Sequence, residues 1–156
     1  MSFWRVENGK LRFRFHVGQA RAWDSAKRFI AVLAGTQGGK TCFGPVWLWR
    51  EIIRRGAGDY MVVTPTFKLL QKKALPEFIR FFKDQLGLGD YNKSDKIFRI
   101  SPKGEVKLFG SVQDEPTQIF FGYAEDPESL ESATAKAAWL DEAGQKKFKL
   151  GSWIRS

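Results

Sequence analysis

An eight-residue segment that starts at Ala34 has the form A-x-x-x-x-G-K-T, and it limits the possible folds more than any other part of the sequence. It follows a continuously apolar run, residues 29–34, and precedes residues 40–55, whose apolar positions recur at helical spacing. A buried strand, a glycine-rich loop and a helix in this order are typical of the P-loop, which binds phosphate. The motif usually begins with Gly, whereas here Ala34 holds that position and Gly35 follows it.

Each residue type in this loop predicts a role. Glycines let backbone N–H groups curl around phosphates with no Cβ in the way. Lys40 would place its charge on the outer phosphates, and the Thr41 hydroxyl would bind Mg²⁺. The residues of this segment that we predict to bind nucleotide are Gly35, Thr36, Gln37, Gly38, Gly39, Lys40 and Thr41.

An acidic pair, Asp141 and Glu142, follows the apolar residues 137–140. A parallel sheet with a phosphate loop needs a carboxylate at the end of another strand, and Asp141 would there hold Mg²⁺ through water. Glu142 would polarise the attacking water as a general base. Lys40 and Glu142 are therefore the predicted catalytic residues, and Thr41 and Asp141 the predicted metal ligands.

The other patterns predict an α/β domain with a mainly parallel central sheet flanked by helices. Strands are predicted at residues 10–17, 29–34, 60–64, 97–101, 105–109, 118–123 and 137–140. Helices are predicted at residues 40–55, 66–86 and 127–135, with Pro76 kinking or restarting the second of them. Asn8-Gly9 predicts a turn, and His16 is predicted to face solvent from the first of these strands.

Composition narrows the class of protein. The 156 residues carry 26 Lys and Arg against 17 Asp and Glu, a net charge of +9, which favours a polyanionic partner such as nucleic acid. One Cys and one His exclude an intrachain disulfide and argue against a zinc site. No apolar run approaches the roughly 20 residues of a membrane helix. The first residues lack the apolar core of a signal peptide, so we expect a cytoplasmic protein.

These segments together resemble the N-terminal ATPase part of phage terminase large subunits. The resemblance spans residues 15–156 and rests on QxRAW from Gln19, RFIAVLAGTQGGKT, GPVWLWREI, DYMVVTPTF and AAWLDEAGQ. It implies a P-loop fold of the ASCE type that hydrolyses ATP with Mg²⁺ to drive duplex DNA into a prohead. By position it implies an adenine contact for Gln19, and the roles given above for Lys40, Thr41, Asp141 and Glu142.

The same resemblance implies a homo-oligomeric ring, with a portal and a small terminase subunit as partners, in the cytoplasm of an infected or lysogenic bacterium. Thr36 stands where many terminases have Arg, and the chain ends 14 residues after Glu142, before the family's coupling motif and nuclease domain. We expect one partial domain over residues 1–156, with 1–18 as an N-terminal extension and 19–156 as the nucleotide-binding core. Its sheet would be incomplete on the C-terminal side, with an exposed edge that favours self-association.

Two alternative functions stay open. A helicase-like DNA-dependent ATPase would need helicase motifs after Glu142, and Ser132-Ala133-Thr134, which resembles one of them, precedes it. A remnant that binds nucleotide or DNA without hydrolysis would lack the coupling segment, and for the isolated chain we expect weak or absent turnover. The candidates for an arginine finger, among which sequence offers no choice, are Arg54, Arg55 and Arg80.

Overall fold

The fold is α/β, with helices packed on a five-stranded sheet and a separate N-terminal hairpin. The computed structural model describes residues 3–33, 39–130, 134–146 and 148. Its strands are β1 Trp4–Glu7, β2 Lys10–Phe13, β3 Asp59–Thr64, β4 Gly89–Asn92, β5 Ile97–Ile100, β6 Gln118–Tyr123 and β7 Ala138–Leu140. Its helices are α1 Val17–Asp24, α2 Lys40–Arg55, α3 Phe67–Leu69, α4 Leu75–Ile79 and α5 Pro102–Phe109, with π-helical turns at Leu70–Ala74 and Arg80–Gln85 and a 3₁₀ helix at Pro127–Leu130.

The central sheet is mixed, with the strand order β4-β5-β6-β3-β7. β3 pairs in parallel with β6 and β7, whereas β4 and β5 form antiparallel pairs. The prediction of a mainly parallel sheet is therefore wrong for β4 and β5. The pairing of β4 with β5 follows from the short turn between them, where the Asn92 side chain accepts the N–H groups of Ser94 and Asp95. A turn this short can join only antiparallel neighbours.

Both faces of β3 are covered, which explains its unbroken apolar sequence. Tyr60 and Val62 pack with α2 and with the helical residues 67–85 in the larger core. Met61 and Val63 lie on the opposite face of the strand, where they pack in a smaller hydrophobic cluster. The predicted strand at 60–64 is confirmed, as are those at 97–101, 118–123 and 137–140 with shifts of a residue or so at their ends.

Two of the helix predictions are confirmed. α2 spans Lys40–Arg55 and ends at Gly56, whose φ of 82° is a backbone conformation that glycine adopts without a steric cost. The second helix is continuous from residue 67 to 85, and its α-helical conformation restarts at Leu75 with Pro76 in the first turn, in agreement with the predicted restart. Proline lacks the N–H that a helix interior needs, and the wider π-helical turn Leu70–Ala74, just before it, accommodates that loss.

Residues 105–109 form the end of helix α5, so the strand predicted there is wrong. The Ser101 hydroxyl accepts the Gly104 N–H at 3.1 Å, and Pro102 occupies the first helical position. Gly110, with φ of 83°, ends the helix. The residues that start and end the helix, Ser101, Pro102 and Gly110, lie outside the segment for which the strand was predicted.

The predicted strands at 10–17 and 29–34 differ most from the structure. β2 ends at Phe13, and His16 instead caps α1, its Nδ1 accepting the N–H groups of Gly18 and Gln19. Residues 29–33 form no strand, and Phe29 and Leu33 are 84% and 94% exposed. No strand of the described residues hydrogen-bonds to them, and an apolar run without a backbone partner does not become a strand. Ala34 lies outside the described residues.

The turn at Asn8-Gly9 is confirmed, both residues having positive φ. The helix predicted at 127–135 is a 3₁₀ helix at Pro127–Leu130; residues 131–133 lie outside the described part, and 134 and 135 are not helical. No helix among the described residues is long and apolar enough to cross a membrane. The division into residues 1–18 and 19–156 stays a prediction.

Candidate functional site

The first turn of α2 meets the carboxyl end of β7. The Thr41 hydroxyl donates to both carboxylate oxygens of Asp141, at 3.3 Å each. Asp141 is held there by its own backbone N–H, which donates to the Val63 carbonyl at 2.9 Å. This hydrogen bond joins residues that are 100 apart in sequence.

A glycine sets the distance between these two elements. A Cβ added to Gly44 would lie 1.9 Å from Cε2 of Trp139, so the α2 backbone packs directly on the indole ring. Gly44 lies three residues after Thr41, and Trp139 lies two before Asp141. This close approach therefore positions the hydroxyl against the carboxylate. Sequence reasoning missed it, because a glycine inside a helix reads only as a weak helix former.

Asp141 is a buried acid, only 4% exposed. Burial, with the neighbouring charge of Glu142, raises its pKa to about 6, while the Thr41 hydrogen bond and the charges of Lys73 and Lys40 oppose that rise. A carboxylate that is costly to ionise gains most from a nearby cation. Such perturbed acids cluster at functional sites.

Glu142 adopts a left-handed backbone conformation, with φ of 55°. Non-glycine residues rarely do so, and such strain concentrates at functional positions. Its Oε1 lies 3.9 Å from Nζ of Lys73, a residue of the π-helical turn Leu70–Ala74. Sequence reasoning gave no role to Lys73, and its only signal was its place in the helix that follows β3.

Gln19 is buried at the start of α1 and lies next to the predicted phosphate loop. Its Oε1 accepts the backbone N–H of His16 at 3.2 Å, which fixes the side chain. A Cβ added to Gly39 would lie 3.1 Å from Nε2 of Gln19. Gly39, with φ of 68°, is the N-cap of α2, which starts at Lys40. The other loop residues predicted to bind nucleotide, Gly35, Thr36, Gln37 and Gly38, lie outside the described residues.

Thr41 and Asp141 offer oxygen ligands that suit Mg²⁺, which usually keeps several waters and binds few protein groups. Within the described ranges, no three His, Cys, Asp or Glu side chains come together to hold a metal by themselves. Water and phosphate oxygens would have to complete the coordination. A buried carboxylate with a raised pKa, bonded to a hydroxyl, fits such a partial site.

The arginine-finger candidates all pair with acids of their own helices. Arg54 and Arg55 contact Glu51 at 3.2 and 2.7 Å, and Arg80 contacts Glu77 at 2.6 Å. These contacts favour none of the three.

The chain resembles a known protein in its three-dimensional fold, whereas its sequence matches none of the family models or curated proteins. No protein-family model matches the sequence, and no curated protein matches it. Among solved structures, a mutant ATPase domain of the large terminase of Thermus phage P74-26 matches with a TM-score of 0.60 and 16% sequence identity. The match covers 92% of this chain and 62% of that one. At this identity the likeness shows a shared fold, that of a terminase ATPase domain.

Proposed function

We propose that the chain is the ATPase part of a viral DNA-packaging terminase. The observation that carries the proposal is the Thr41–Asp141 contact, which joins the start of α2 to the end of β7. The shared fold supports it. The substrate would be ATP with Mg²⁺, and the reaction hydrolysis of the terminal phosphate.

Each residue of the site would have a separate role in binding or hydrolysis. Lys40 binds the outer phosphates, and the first turn of α2 directs its backbone N–H groups to them. Thr41 and Asp141 hold the metal, which would neutralise charge on the transferred phosphoryl group. Glu142 orients the attacking water and accepts its proton. Gln19, beside Gly39, contacts the adenine.

Duplex DNA would be the translocated partner, contacted through the basic surface that the net charge of +9 supports. A homo-oligomeric ring, the portal and a small terminase subunit would be the protein partners, in the host cytoplasm. A fluorescent duplex should bind with an affinity that falls steeply as salt rises. Hydrolysis stimulated by DNA without strand separation would separate a packaging motor from a helicase-like ATPase.

The primary test is titration of a fluorescent ATP analogue with Mg²⁺ onto the wild type, Lys40→Ala and Glu142→Gln. We expect saturable binding that Lys40→Ala loses and Glu142→Gln keeps, because the first removes a phosphate contact and the second only the base. Lys72→Ala, an exposed lysine of the π-helical turn, is the matched control. Hydrolysis in the same samples distinguishes a motor domain from a non-hydrolysing remnant. Absence of binding by a folded wild type would overturn the proposal.

A further inference from the structure

Lys73 lies beside the Glu142 carboxylate. Its Nζ is 3.9 Å from Oε1 of Glu142, and its charge is one of those that oppose the raised pKa of Asp141. It belongs to a π-helical turn whose first and last residues, Leu70 and Ala74, are fully buried. The backbone that carries Lys73 is therefore fixed by packing, although the side chain itself is half-exposed. π-helical turns of this kind recur at functional sites.

Glu142 has a constrained backbone and a carboxylate with one cationic contact. Its carbonyl accepts the Gln145 N–H at 3.1 Å, which holds the left-handed turn. Among the described residues, Lys73 forms the only ion pair with its carboxylate. The cation that faces this carboxylate thus comes from a different element of the fold, the π-helical turn Leu70–Ala74.

The two carboxylates would repel a bound triphosphate, and the charge of Lys73 would reduce that repulsion. Thr41, at the start of α2, contacts Asp141, and Glu142 follows Asp141 in the sequence. A triphosphate bound at the start of α2 would therefore approach two carboxylates. The negative charges of the phosphates and the carboxylates would repel each other, most strongly where water is excluded. A cation beside Glu142 reduces that repulsion and keeps the carboxylate directed.

We propose that Lys73 is a positioning residue that holds the Glu142 carboxylate and offsets its charge when a nucleoside triphosphate binds. The inference rests on the proposed function, since it assigns a residue to that same site. It concerns the terminal phosphate in particular. A diphosphate ends farther from Glu142 and should depend much less on Lys73.

A double-mutant cycle tests this with two probes, the non-hydrolysable ATP analogue AMP-PNP and ADP, each with Mg²⁺. We expect Lys73→Ala to weaken AMP-PNP binding about tenfold and ADP binding less than about twofold. In a Glu142→Gln background, the loss of AMP-PNP affinity caused by Lys73→Ala should fall below about threefold, because the repulsive charge has gone. Lys73→Arg should retain wild-type affinity, and Lys72→Ala should match the wild type for both probes.

The outcomes separate this inference from the proposed function. If Lys40→Ala loses binding while Lys73→Ala behaves like Lys72→Ala, the role of Lys73 is wrong and the nucleotide site stands. Equal losses for AMP-PNP and ADP, or additive effects in the cycle, would show a merely structural lysine and also overturn the inference. If a folded wild type binds neither probe, both proposals fail. Circular dichroism and urea unfolding of every variant establish that it is folded.

Discussion

Asp141 and Glu142 are adjacent in sequence, yet they lie in contrasting environments. Asp141 is 4% exposed, bonded to Thr41 and fixed by the packing of α2 on β7. The Glu142 side chain is 27% exposed and contacts Lys73, which is 51% exposed. The two acids of the pair are therefore physically distinct groups. One is built into the core, where a cation would stabilise its charge, and the other is partly solvated and paired with a lysine.

The largest effect should come from breaking the packing that holds the Asp141 side of the site. Gly44→Ala places a Cβ within 2 Å of the Trp139 ring, so α2 and β7 must separate. We expect the free energy of unfolding in urea to fall by about 3 kcal/mol, even though Ala favours helix over Gly. Nucleotide-analogue binding should weaken with it.

Gly144→Ala is the matched control, because a Cβ there meets no atom within 4 Å. It should leave the free energy of unfolding within about 0.5 kcal/mol of the wild type. A Gly44→Ala protein as stable as Gly144→Ala would contradict the claim that this contact positions Thr41.

Replacing the buried charge should stabilise the nucleotide-free protein. The folded pKa of Asp141, about 6, exceeds the unfolded value of 3.8, so the folded state binds more protons between these values. The contribution of Asp141 to stability therefore falls as pH rises from about 4 to 6 and stays low above that range. Asp141→Asn should raise the free energy of unfolding by about 2 kcal/mol at pH 7.5, and by much less at pH 4.

Urea unfolding in EDTA at the two pH values measures this, with Glu142→Gln as the comparison. That variant should change stability far less, because the Glu142 carboxylate is partly solvated. Equal gains for both variants, or no gain for Asp141→Asn, would remove the contrast between the two acids.

Removing the hydroxyl that joins α2 to Asp141 should have a smaller effect. Thr41→Val keeps the side-chain shape and deletes the donor to the carboxylate. We expect a loss of about 1 kcal/mol in the free energy of unfolding at pH 7.5, since a buried carboxylate loses a hydrogen bond. Thr41→Ser restores the donor and should recover most of it. If Ser is no better than Val, the hydrogen bond contributes nothing.

How much could be predicted from sequence depends on where the deciding interactions lie. Helix α2 and strand β3 follow from spacing and apolarity within their own segments, so their positions were predictable. The residue types of the P-loop and acidic-pair motifs likewise indicated Thr41 and Asp141 before their contact was known. The strand predicted at residues 29–34 is wrong for the described residues 29–33, because strand formation depends on a neighbouring backbone, which a single segment does not reveal.

The residues that sequence reasoning missed act between elements. Gly44 matters because Trp139 lies against it, and Lys73 because a π-helical turn brings it to Glu142. Neither residue belongs to a recognisable sequence motif, because glycines inside helices and lysines on helical surfaces are common. Only the packing of α2, β7 and the residues after β3 distinguishes them.

The smallest effect on stability should come from the exposed side of the comparison. Lys73→Ala removes one partner of a half-exposed ion pair at 3.9 Å, so the free energy of unfolding should change by less than about 0.5 kcal/mol, as for Lys72→Ala. Urea unfolding of the two variants side by side measures this. A loss above 1 kcal/mol for Lys73→Ala alone would mean that the lysine supports the fold. A negligible loss would mean that any weaker triphosphate binding by Lys73→Ala arises at the binding site and not from a less stable fold. Asp141 would then affect the stability of the protein, and Glu142 would affect its binding of ligand.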